Sequence, residues 1–441
     1  MADRPLVAHL LRRATFGPTA AEVDAAERAG FEATVAGLLA PAGTDPGAAA
    51  TPVPQLGADA YATAGRNLTA EEKQRAQEQR RQQILAVENW WLQRMVAAQH
   101  QLTEKMVFFW HGHWATSVQK VKSGPLMLRQ LETFRSAGRG DFAVLLKAML
   151  RDPALIFWLD GQRNTRQAPN ENLARELMEL FTLGIGSGYT EDDIKAGARA
   201  LTGWTLDRGS MVATLVPNRH DAGPKTILGS TAPFDSDSYA DLLVAQPANA
   251  AFLARRLWFR FASGTALDPA VEARLVAAYR PGRDVTALVR AVLTDPAFAA
   301  TRGQLVKQPV EWLVGAVRQL GLSVRELSGD RQRQLLGGLD GLGQVPLRPP
   351  SVGGWPAGGA WLTTSSLQAR MRLANGLATA AGPAALDPLG RGTPAERVDA
   401  LARLLVVDAW TERTRAALAA AATNPRRLLT AGLVSPEYTV S

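Results

Sequence analysis

The amino-acid sequence predicts a mainly α-helical protein: a single large multi-helix domain over residues 1–441, with long irregular Pro/Gly-rich loops and few short strands. Three observations point there. Apolar residues recur at three- and four-residue intervals through most of the chain, the spacing of one helix face. Many of these runs open on Ser, Thr or Asn, which cap helix starts, and some close on Gly. Strand-like stretches do not alternate with helical ones, which argues against a doubly wound sheet.

Taken in order, residues 6–40 hold two short helices. Thr19 caps one over Ala20–Ala29, and Gly30 ends it. Residues 41–68, rich in Ala, Gly, Pro and Thr without apolar periodicity, are expected to form a flexible loop within the domain. Thr69 and Glu72 form a capping box that opens a long helix. Its charged stretch 73–81 reads as a solvated face, and Ile84, Leu85, Val87, Trp90, Leu92 and Met95 follow at helical spacing. Further helices are predicted at 103–114, 125–137, 140–150, 170–183, 190–201, 237–244, 248–262, 270–280, 284–294, 306–320, 365–380, 395–406 and 410–422. The strand-like segments are 211–216 and 157–160. No internal repeat divides the chain.

Composition narrows the function. Apolar residues make up 46% of the chain, enough for a sizeable core, and charged residues 20%. The net charge of +8 rests on 41 Arg and 8 Lys spread along the whole sequence. A nucleic-acid footprint clusters on one face, so nucleic acid is not an expected partner. The absence of Cys excludes disulfides, thiolate metal sites and a Cys nucleophile. Any metal has to be held by His, Asp, Glu or neutral oxygen donors. The opening residues do not read as a signal peptide, and no run of about 18 apolar residues exists to cross a membrane. The default expectation is a soluble cytoplasmic protein, with export left open.

Several segments carry polar groups in informative patterns. His111 and His113, two of the five histidines, sit among aromatic rings in Phe108-Phe109-Trp110-His111-Gly112-His113-Trp114. On a helix, residues two apart point about 200° apart. Both imidazoles therefore reach one metal only if the helix breaks, and Gly112 is where it would break. The alternative is an unbroken helix with a buried, hydrogen-bonded histidine. In residues 170–184, Leu173, Leu177, Leu180 and Phe181 make an apolar stripe, whereas Asn172, Arg175, Glu176 and Glu179 line another. That polar stripe reads either as a surface ion-pair seam or as the wall of a pocket. Thr190 and Asp193 resemble a capping pair, and small residues at 196, 197, 198 and 200 favour close packing. His220 and Asp221 lie in a polar loop. Trp355 and Trp361 lie in a Pro/Gly-dense stretch, as a stacking platform or as core plugs. No phosphate-binding loop, dinucleotide fingerprint, nucleophile elbow or helical zinc-protease motif is present.

Six pieces in order resemble the domain of unknown function 1800 family: residues 10–17, 109–117, 170–184, 189–204, 220–229 and 349–361. The resemblance spans nearly the whole chain and implies a helical domain of bacterial origin. The family's recurrent polar positions fall on His111, His113, Asn170, Glu171, Asn172, Arg175, Glu176, Glu179, His220 and Asp221. Genes of the family often lie beside those of a second uncharacterised family, number 1501, which looks related to sulfatases and alkaline phosphatases. That implies a phosphatase- or sulfatase-like protein as partner, in an exported setting.

Three functions follow as expectations. The first is a hydrolase with a divalent metal (Zn, Mn or Fe) on His111, His113, Glu176 and His220, in which Glu176, Glu179, Arg175 and Asp221 take catalytic roles. The second is metal-free, glycan-directed chemistry, with Glu176 and Glu179 as the carboxylate pair, Trp355 and Trp361 stacking on sugar rings, and Glu171 and Asn172 contacting ligand. The third is a non-enzymatic assembly protein for the neighbouring partner. The first two need the imidazoles and carboxylates to meet in one accessible hollow.

Overall fold

The structure is a computed structural model in which residues 3–60, 62 and 68–441 are described. Helices dominate, as predicted. Residues 6–40 hold three helices rather than two: α1 (Arg4–Ala14), α2 (Ala20–Ala29) and α3 (Phe31–Leu39). The single Gly30, at φ +91°, both ends α2 and starts α3. Then come α4 (Ala70–Ala97), α5 (Gln101–His113), α6 (Gly124–Ala137) and α7 (Phe142–Leu150). The capping boxes at Thr19, Thr69 and Thr190 all form, because each needs only a partner three residues away.

The middle of the chain departs from simple α geometry. Helix α8 runs over Asn172–Glu176 and continues as a π-helical turn, Leu177–Thr182. Next are α9 (Glu191–Ala200) and two antiparallel ribbons. Strand β1 (Trp204–Asp207) pairs with β2 (Val212–Leu215), and β3 (Lys225–Ile227) pairs with β4 (Ser230–Ala232). The strand expected at 211–216 is therefore β2. The one expected at 157–160 is not a strand: residues 157–158 end the short helix Pro153–Trp158. There Asp152 caps the Leu155 N–H and Pro153 presets the first turn, and this local start signal outweighs the run of bulky apolar residues.

The remaining helices are α10 (Ser236–Ala245), α11 (Pro247–Phe261), α12 (Pro269–Tyr279), α13 (Val285–Thr294), α14 (Pro309–Gln319), α15 (Gly329–Gly341), α16 (Thr364–Ala380), α17 (Pro383–Gly390), α18 (Pro394–Leu405), α19 (Glu412–Ala421) and α20 (Pro425–Leu433). Helices α15, α17 and α20 were not expected. Three glycines lower the intrinsic propensity of the second half of α15, yet Gly338 lies directly under Leu373 of α16, and packing decides.

One continuous apolar core runs from Leu10 to Tyr438. At its centre α14 is buried on every side through Val310, Trp312, Leu313, Val314, Ala316 and Val317. The turn after α1 lies across it so closely that a Cβ on Gly17 would sit 2.7 Å from the Gly315 Cα. With φ +138°, Gly17 is also where only glycine is relaxed.

Of the segment 41–68, residues 61 and 63–67 lie outside the described residues. The described part is tied to α4 and its end. Gln83 donates to the Leu56 and Ala58 carbonyls, Trp90 to the Thr51 carbonyl, and Asp45 accepts from the Gln99 and His100 N–H groups. Among the described residues no helix is long and apolar enough to cross a membrane.

Candidate functional site

Helix α5 stays unbroken through Gly112 and carries His111 and His113 to opposite sides, as helical spacing requires. His111 Nε2 accepts from the Leu347 N–H at 3.1 Å, so its proton is on Nδ1. The ring meets Trp91 and Trp355 edge-on and anchors the Pro/Gly-rich loop at residue 347. His113 Nε2 instead donates to the Phe181 carbonyl at 3.0 Å. That carbonyl lies in the π turn, whose end is fastened further by Asn249 on the Thr182 carbonyl at 2.9 Å. A π turn breaks the usual ladder and leaves end carbonyls needing donors; His113 and Asn249 supply them. Burial holds both imidazoles neutral, down to about 3. Gly112 serves a different purpose from a helix break. A Cβ on Gly354 would lie 2.6 Å from the Gly112 carbonyl oxygen, so the bare helix surface there is where the loop docks.

The remaining expected metal ligands lie elsewhere. His220 Nδ1 meets the Thr202 carbonyl at 3.0 Å, and Thr202 Oγ1 also receives the Asp221 N–H. Asp221 accepts from Arg199 at 2.7 Å, which holds its carboxyl below the usual range. Glu176 is half-buried and has no hydrogen-bond partner among the described residues. Its carboxyl is pushed up by burial and then by Glu179. Among the described residues no three His, Asp or Glu side chains stand close enough together to hold a metal ion. The expected centre of His111, His113, Glu176 and His220 is not assembled, because the two imidazoles are spent on separate backbone groups.

The polar stripe of α8 forms an ion-pair network. Arg175 binds Glu191 at 2.7 and 2.8 Å, Glu171 at 3.1 Å and Glu179 at 3.4 Å. Asn172 is exposed, and its N–H is taken by Asn170 Oδ1. The two tryptophans belong to neither the carboxylates nor each other. Trp355 is half-buried and stacks on Phe108, with centroids 6.1 Å apart and planes 26° apart. Trp361 is 2% exposed and cannot offer a surface platform.

A different set of residues converges. Arg13 of α1, Lys105 of α5, Arg260 of α11 and Glu311 of α14 line one hollow of about 190 Å³, with Trp361, Phe259 and Gln308. An inner recess shares Lys105 and Glu311 and adds Lys307. A second hollow of about 80 Å³ adjoins through Phe259, Arg260, Gln308 and Ala357 and brings in Arg256. Arg12, at the rim, is matched by Asp408. That leaves Arg13, Lys105, Arg256, Arg260 and Lys307 against Glu311 and any carboxylate at Ser441 on the edge.

Glu311 is the anchor of the cluster. Arg260 donates to it at 3.0 Å, Lys105 pairs with it, and the Gln308 N–H binds it at 2.9 Å in the first turn of α14. Burial alone would raise its carboxyl, but Arg260 and Lys105 outweigh burial and bring it to about 2. The cations stay under-compensated. Burial pushes Arg13 down to about 9, Lys105 to about 8 and Lys307 to about 7. Arg13 is 2% exposed; Nη2 reaches the Thr301 carbonyl at 2.7 Å, and Nε and Nη1 have no partner. A buried guanidinium with idle donors normally costs several kcal/mol.

Sequence reasoning passed over this cluster. The signals were a lysine set between Glu104 and the apolar run 106–110 in a Lys-poor chain, and Arg256 and Arg260 around Leu257-Trp258-Phe259. Such cations can lie along an apolar surface with their heads in water, and only the fold shows that these do not.

Fold and site together define a mainly helical protein with a partly open, cation-rich hollow. The chain belongs to the family described as "Protein of unknown function (DUF1800)", whose model matches residues 9–440. No curated protein and no solved structure matches it.

Proposed function

We propose that this protein recognises a small oxyanionic molecule, one carrying a phosphate, sulfate or carboxylate group, in the hollow formed by α1, α5, α11 and α14. The observation that carries this reading is Arg13, sealed from water with two donor nitrogens unpaired and lining a hollow where cations outnumber acids. A single water needs roughly 10–15 Å³, so about 190 Å³ accommodates such a group with further atoms attached. An anion there would satisfy the idle donors and restore charge balance. The expected metal-dependent hydrolysis and the glycan-directed reading both rest on residues whose contacts lie apart, so this cavity is the better-supported seat of function.

The test is thermal unfolding of the full chain with inorganic phosphate and with sulfate, at constant ionic strength. At a hundred times the dissociation constant, binding adds about 2.7 kcal/mol. Unfolding entropy near 2.1 cal/mol/K per residue gives about 0.9 kcal/mol/K for 441 residues, so Tm should rise by about 3 °C. The rise should vanish in Arg13→Gln. It should also weaken from pH 7 to 9, as Lys307 and Lys105 lose their protons. No anion-specific shift, or one that survives Arg13→Gln, refutes the reading.

A further inference from the structure

The geometry points to a ligand in which the oxyanion is attached to an aromatic ring, with the ring seated in the second hollow; this rests on the anion reading above. The two hollows share Phe259, Arg260, Gln308 and Ala357, so one molecule can occupy both with Arg260 beside the junction. The second is walled by Phe108, Phe109, Phe259 and Trp355. At about 80 Å³ it suits a six-membered ring, on a scale where one water needs roughly 10–15 Å³.

Two buried donors on its walls lack partners, Trp355 Nε1 and Arg256 Nε. They fit an acceptor atom on the ring, such as a carbonyl or phenolic oxygen. A sugar fits poorly. Gln308 is the one neutral side-chain amide among the described residues lining this hollow, and most hydroxyls of a pyranose would lose their water without replacement. Loop residues Gly353, Trp355, Pro356 and Ala357 form one wall and are held in place by the docking of Gly354 on Gly112, so the ring site exists before any ligand arrives.

Calorimetry on the full chain at pH 7 with phenylphosphonate, inorganic phosphate and benzyl alcohol separates the parts. Phenylphosphonate should bind about tenfold tighter than phosphate, the ratio expected of one well-packed aromatic contact. Trp355→Ala should remove that ratio and leave phosphate affinity within about twofold. Phe259→Ala, at a residue 41% exposed and so outside the core, should reduce the ratio without endangering folding. Equal affinity for phosphate and phenylphosphonate, or a ratio unchanged in both variants, overturns the ring site while the anion reading stands. Binding of benzyl alcohol as tight as that of phenylphosphonate, or no binding by either anion, overturns the anion reading itself.

Discussion

Replacing Arg13 by methionine should stabilise the unliganded protein while abolishing its response to anions. The magnitude follows from the structure. Burial brings the Arg13 guanidinium from its ordinary 12.5 to about 9. At 1.36 kcal/mol per pH unit, keeping that charge costs roughly 4–5 kcal/mol. Methionine occupies similar length along the same apolar walls and carries no charge. The substitution also removes the hydrogen bond to the Thr301 carbonyl, a loss of roughly 1–3 kcal/mol. The remainder, about 1–4 kcal/mol, is a net gain, and at about 0.9 kcal/mol/K it raises Tm by about 1–4 °C. Differential scanning calorimetry with and without phosphate reads both effects. A lower Tm for Arg13→Met in the absence of anion would refute the idea that this charge is held at a structural disadvantage for the sake of a ligand.

Two further outcomes are expected. Acid should destabilise the fold through His111 and His113. Their folded pKa values, about 3, lie below the ordinary 6.5, so the unfolded chain binds more protons and stability present above pH 6.5 is lost as the pH falls towards 3. At pH 5 the two together remove about 4 kcal/mol. His9, also brought to about 3 by burial, removes about 2 kcal/mol more, and Asp152, pushed up to about 6 by burial, returns about 1 kcal/mol, so unfolding free energies from urea melts at pH 7 and 5 should differ by about 5 kcal/mol; unchanged values would contradict neutral burial. Glu176→Gln should leave stability within about 0.5 kcal/mol, on the stabilising side, because a half-buried carboxyl without a hydrogen-bond partner is replaced by a neutral amide. A loss above about 2 kcal/mol in denaturant melts would mean that Glu176 holds the α8 network together.

Much of the helical framework was legible. The capping pairs at Thr19, Thr69 and Thr190 are satisfied within three residues, and the 200° separation of His111 and His113 is a property of any helix. The α8 ion-pair seam was also readable, since Glu171, Arg175 and Glu179 are spaced four apart. The partners of the two histidines were not: Leu347 and Phe181 are 236 and 68 residues away. The fate of Trp361 was equally hidden, because a Pro/Gly-dense loop folds inward or outward according to what lies beneath it.

By itself, then, the sequence determined where most of the helices start, which faces are apolar and which neighbouring charges pair, all of which depend on spacings of a few residues. Tertiary structure alone decided which charges would be stripped of water. Arg13, Lys105, Arg260 and Glu311 come from four helices spread over some 300 positions. An ammonium or guanidinium acquires its unusual chemistry only when the surroundings that desolvate it have assembled, and those surroundings are not written next to it in the chain.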